Sequence, residues 1–198
     1  PGIVTKMSRA WAAVTIGRMV RPRLAVCLIA ALVACSPALN WRELRGETGG
    51  LALQLPCKPD RGTRAVPMLE QDRTLTMTGC EADGLLLAVS SVDLGDATRA
   101  NDALAGWQRA VRLQWGLPAQ GALPGAAAFT PPGANALPQA ERWQADVSGP
   151  TGAPMRIDAA WFARGSRVFH AIVIAPRGRR DGEAPWQPFF TELRVQPS

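Results

Sequence analysis

Tyrosine is absent from this chain of 198 residues, and histidine occurs once. A single imidazole, His170, excludes every site that needs two, and it leaves one candidate base for a Ser-His-Asp hydrolase. No Gly-x-Ser-x-Gly elbow displays a nucleophile, and no Gly-x-x-x-x-Gly-Lys loop is present to cradle phosphates. His170 lies within Val168-Phe169-His170-Ala171-Ile172, where a hydrogen-bonded strand histidine is the expected role. Cysteine is scarce, at four residues. With so few thiols and imidazoles, no metal site and no cofactor is expected. The carboxylate pairs Glu81 with Asp83 and Asp93 with Asp96 flank expected turns, where acids cap and solvate backbone.

What the sequence has is concentrated near its beginning. Arg18, Arg21 and Arg23 precede an apolar run of eleven residues, 24–34, which closes on Leu32-Val33-Ala34-Cys35. A basic segment, an apolar core and small residues before a cut site are the parts of an export signal. The Leu-Val-Ala-Cys ending resembles the lipobox of Gram-negative bacterial lipoproteins. That resemblance implies cleavage before Cys35, a diacylglycerol on its thiol, acylation of its new amino group and a lipid bilayer as the first partner. Residues 1–34 are then signal peptide, with 1–18 lying ahead of the more natural start at Met19. A membrane-spanning helix needs about 20 apolar residues, more than this run supplies. An ordinary secretory cut with Cys35 as a bystander is the other alternative. Ser36, in place of an Asp, implies release to the outer membrane on its periplasmic side.

The apparent basicity belongs mainly to that signal. Of 22 Lys and Arg, five precede Cys35, and none of the 16 Asp and Glu do, so 17 cations face 16 anions afterwards. A nucleic-acid partner is therefore not expected. The cluster Arg177, Arg179 and Arg180 reads as a solvated turn. Residues 35–40 form the lipidated terminus and a tether reaching at most about 20 Å when extended. Residues 41–198 suit a single domain. Cys57 and Cys80 are the two remaining thiols, each closing a strand-like run, and in an oxidising compartment a disulfide between them is expected. Closing that loop is worth about 3 kcal/mol on the chain-entropy model.

Residues 51–55 alternate as a strand stopped by Pro56, and 74–80 with 85–92 form a hairpin about Ala82-Asp83-Gly84. A helix follows, with Asn101 as its expected cap, Leu104, Trp107, Val111 and Trp115 on one face, and Gly116 with Pro118 ending it. Strands are expected at 139–148, 155–163 and 167–175. A closing helix carries Trp186, Phe189, Phe190 and Leu193 at helical spacing after Pro185. The expectation is an α+β domain, an antiparallel sheet with two main helices packed on it. Leu55-Pro56-Cys57-Lys58-Pro59, the central helix after a hairpin, the hairpin 161–174 and the ending Phe189-Phe190-Thr191-Glu192-Leu193 are similar to PsbP-like and DcrB-like small domains. They are also similar to uncharacterised proteobacterial lipoproteins with paired Leu-Pro-Cys-Lys-Pro and Cys-Glu-Ala segments. Those resemblances imply a fold and a compartment, and they supply no catalytic residue.

Two features are candidates for binding. Residues 117–139 carry no formal charge over 23 positions, and Phe129, Pro131 and Pro132 are the candidate surface within them. Loops this long are usually functional or disordered; an edge strand about 126–130 is the alternative. Six tryptophans follow Cys35: Trp107, Trp115 and Trp186 fall on apolar helical faces, while Trp41, Trp143 and Trp161 stay open. The favoured expectation is a non-enzymatic, membrane-anchored envelope lipoprotein that binds a protein partner or assists assembly. A binding module for a small apolar ligand or glycan is the alternative. A hydrolase would need Asp158 or another acid, and a serine, to converge on His170.

Overall fold

The computed structural model describes residues 39–46, 49–178 and 184–196. The expected signal, Cys35, and Arg179 with Arg180 lie outside the described residues. Seven antiparallel strands form the larger sheet in the order β3-β4-β5-β9-β8-β7-β6. They are β3 (Asp60–Met68), β4 (Gln71–Ala82), β5 (Leu85–Asp93), β6 (Ala127–Ala128), β7 (Glu141–Ser148), β8 (Pro154–Arg164) and β9 (Arg167–Pro176). A second sheet has the order β1-β2-β10, from β1 (Arg42–Arg45), β2 (Leu51–Leu55) and β10 (Arg194–Val195). The helices are α1 (Ala100–Gln114) and the five-residue α2 (Gln187–Thr191).

The expected α+β domain with two main helices is therefore corrected: the chain is mostly β, about 48% strand and 15% helix, with one real helix and two sheets. The aromatic spacing at the end of the chain explains the difference. Trp186, Phe189, Phe190 and Leu193 are all buried, but one helical turn followed by β10 already turns all four inward. Glu192 caps that turn and Leu193 lies beyond it, leading into the second sheet.

Two apolar clusters lie on opposite faces of the larger sheet. On one face Leu51, Leu53 and Leu55 alternate inward from β2 and meet Leu87, Phe162, Phe169 and the α2 phenylalanines. On the other, Leu104 and Val111 of α1 pack over Trp143, Ile157, Trp161 and Val168. Residues 157–163 of β8 are consecutively buried, as expected of a central strand covered on both sides. Cys57 and Cys80 form a disulfide joining the chain just past β2 to β4.

Hairpin geometry follows turn chemistry at two places. Asp83 and Gly84 both have positive φ, the signature of a type I′ turn between β4 and β5. Leu69 and Glu70 do the same between β3 and β4 with no glycine at all, at φ 52° and 65°. Helix α1 ends as Gly116 predicts: Gly116 takes φ 68°, its N–H donates to Leu113 O, and Leu117 N donates to Arg112 O. Its start differs from expectation. Asp96 caps a 3-10 turn that leads into the helix, and Asn101 instead accepts from Gln139 N at 3.2 Å.

Candidate functional site

His170 sits under α1, at one end of a row of rings that crosses β7, β8 and β9. Strand register places Ser90, His170 and Trp161 side by side on β5, β9 and β8. The imidazole stacks on Trp161 at 4.6 Å, Trp161 on Trp143 at 5.1 Å, and Trp107 of α1 leans on the imidazole at 5.5 Å. Burial among these rings pushes the histidine pKa down to about 3. Its Nε2 has no hydrogen-bond partner among the described residues, so the hydrogen-bonded strand histidine expected from sequence is not what forms.

Asp158 cannot serve this imidazole, because it lies three residues from Trp161 in β8 and therefore on the opposite face. There its carboxylate accepts 2.7 and 2.6 Å bonds from Arg142, one from Gln144 Nε2 at 2.9 Å and one from Trp186 Nε1 at 3.2 Å. Arg142 in turn covers the Phe190 ring at 3.9 Å. This is a fully satisfied buried charge that joins β7, β8 and the start of α2. The other carboxylates also have structural work. Asp93 accepts from Gly95 N, Ser166 Oγ and Arg167, which together hold its pKa at about 2, and Asp96 caps the 3-10 turn. Glu81 and Asp83 are exposed beside their turn. Among the described residues no three His, Cys, Asp or Glu side chains gather as a metal site requires.

The uncharged segment 117–139 folds against the body of the protein. Phe129 is half-buried, edge-on to Phe162 and Phe190 at 5.9 and 6.1 Å, while Pro131 is buried and Pro132 exposed. Residues 127–128 pair with β7 as the short edge strand β6.

Two concavities stand out. A polar cleft of about 940 Å³ is lined by Asp93, Asn135, Arg164, Ser166 and Arg167. Its polar groups are already engaged: Arg164 donates to Gly133 O, Asn135 accepts from Gly165 N, and Arg167 pairs with Asp93. A Cβ on Gly133 would stand 2.1 Å from Val195 O, so this close approach requires glycine.

The second concavity is a groove of about 350 Å³ between the β3–β4 hairpin and α1. Val66, Met68, Leu69 and Leu75 form its hairpin wall, and Trp107 and Val111 its helix wall. Gly106 lies on the helix wall with open space where a side chain would be. The hairpin tip that supplies Leu69 is the non-glycine I′ turn, and left-handed backbone at such residues persists only where the surroundings impose it. Trp107, expected on the apolar face of α1, packs against the core cluster as a half-buried residue that contacts His170 and also lines the groove. The hairpin wall was not visible from sequence, since β3 is largely exposed and carries Gly62 and Pro67.

No known protein family matches this chain, and no curated protein does. A solved structure from Bacteroides thetaiotaomicron VPI-5482 is similar at a TM-score of 0.44 and 11% identity, covering 79% of this chain and 49% of that one. The chain thus spans about half that protein's length.

Proposed function

We propose that this protein is a non-enzymatic, membrane-anchored envelope lipoprotein whose domain binds a small apolar ligand in the groove between the β3–β4 hairpin and α1. Anchoring through acylated Cys35, facing the periplasm from the outer membrane, rests on the lipobox-like ending and Ser36. The observation that carries the binding reading is the groove itself. It is concave, apolar and tryptophan-lined, with a volume inside the usual range for small-molecule sites. A non-enzymatic role is supported by His170, which has no acid or nucleophile bonded to it, and by carboxylates that are engaged in capping and ion pairs.

A protein partner is the second reading. It is favoured by Met77 and Leu86, large apolar side chains 46% and 38% exposed on the α1 side of the sheet. One titration separates the two. A neutral naphthylamine probe added to the full chain should fill one saturable site. Gly106→Leu should abolish that binding, because it fills the groove without disturbing the helix, as circular dichroism would check. Met77→Ser with Leu86→Ser should leave it intact. Probe binding that survives Gly106→Leu would refute the groove, and binding lost in the Met77/Leu86 variant would favour the protein-partner surface.

A further inference from the structure

We infer that the groove takes a single-chain anionic amphiphile, a long-chain carboxylate, whose head group is met by Arg64; this rests on the groove being a ligand site at all. The wall is apolar along its length, and Arg64 is the one charged residue that lines it. Arg64 is exposed and has no ion-pair or hydrogen-bond partner among the described residues, although most arginines of the domain are engaged.

Strand alternation sharpens the charge. Register pairs Arg64 with Leu75 and Val66 with Arg73, so both arginines share the groove face of the hairpin. Asp72, opposite Pro67, turns to the other face. Arg73 keeps its Nε buried without an acceptor, although its terminal nitrogen bonds Gln71. Arg73 does not line the groove, so Arg64 is the guanidinium that a ligand there would meet. On the helix wall, Gln114 adds an uncharged polar group. The apolar body and cationic mouth therefore match a molecule with one tail and one negative head.

Size selects one tail. At about 350 Å³ the groove sits near the lower end of small-molecule sites, which admits a single acyl chain rather than a lipid with several. Guanidinium and carboxylate match as paired donors and acceptors, and such charge-assisted bonds are about twice as strong as neutral ones.

The test uses Trp107 as its reporter. The full chain, held in discs of neutral phosphatidylcholine, is titrated with ω-bromoundecanoate, a soluble carboxylate whose bromine quenches nearby tryptophan, and separately with its methyl ester. We expect saturable quenching that disappears in Trp107→Phe. The carboxylate should bind at least about tenfold tighter than the ester, and Arg64→Gln should erase that preference. Arg64 is exposed, so this variant keeps the fold. If quenching is intact but carboxylate and ester bind equally, the head-group inference falls while the apolar site stands. If no Trp107-dependent quenching occurs with either compound, the inference and the ligand reading both fall.

Discussion

His170 shows how one residue can couple folding to pH without taking part in chemistry. Free histidine titrates near 6.5, whereas this one is held down to about 3 by burial between Trp161 and Trp107. Between those values the unfolded chain binds a proton that the folded chain refuses, so stability falls as pH falls, at up to about 1.4 kcal/mol per pH unit. Asp93, whose pKa is lowered from 3.8 to about 2, adds to acid sensitivity as pH falls through the span between those two values, below the histidine window. The window from pH 7 to 5 therefore isolates the imidazole. His170→Phe keeps a ring in the stack and removes the proton. Denaturant unfolding should show wild-type stability dropping by about 2 kcal/mol across that window, with the variant nearly flat. Equal slopes in the two proteins would mean that the imidazole is hydrated in the folded state.

At the scale of elements, legibility tracked how strongly one residue fixes the backbone. Asp83-Gly84 announced its hairpin, and Gly116 announced the end of α1, because only a few residue types accept positive φ. The strands at β2, β8 and β9 were legible from apolar residues that proved largely buried, and β7 from the alternation of Trp143, Ala145 and Val147, of which only Trp143 is fully buried. By contrast β3 is stabilised by pairing with β4 rather than by burial, and its exposed sequence gives no apolar period to read. With it the groove escaped notice, since one of its walls was missing from the reading and the other, through Trp107, looked like core. The Leu69-Glu70 turn was equally silent, for neither residue is a turn former. That choice has a consequence: left-handed backbone at a non-glycine residue costs about 1–2 kcal/mol. Leu69 packs into the apolar cluster and must stay, but Glu70 is exposed. Glu70→Gly should therefore raise stability by about 1 kcal/mol, after the entropy of the added glycine is subtracted. A denaturant midpoint that fails to rise would show that the Glu70 side chain supports the turn in some other way.

For the whole molecule, the larger sheet divides the protein into two halves with different tasks. On one face β1, β2, β10 and α2 close a core of leucine and phenylalanine, with the Arg142–Asp158 pair sealed beneath Trp186. On the other, α1 covers the ring row and leaves the groove along the hairpin. The disulfide belongs wholly to the first half: Cys57 and Cys80 both contribute to the β2-side cluster. It ties the second sheet to β4 across a separation of 23 residues, and removing it should cost about 3 kcal/mol through the freedom returned to the unfolded chain. Because the sheet stands between that cluster and the groove, stability and binding should separate. Cys57→Ser with Cys80→Ser, compared with the oxidised wild type, should lower the denaturant midpoint. In the cold, where the variant is still folded, probe affinity for the groove should stay within about twofold, a change of under 0.5 kcal/mol. A parallel loss of affinity would show that the hairpin keeps its groove geometry only while the second sheet holds β4 from behind, making the two faces one mechanical unit.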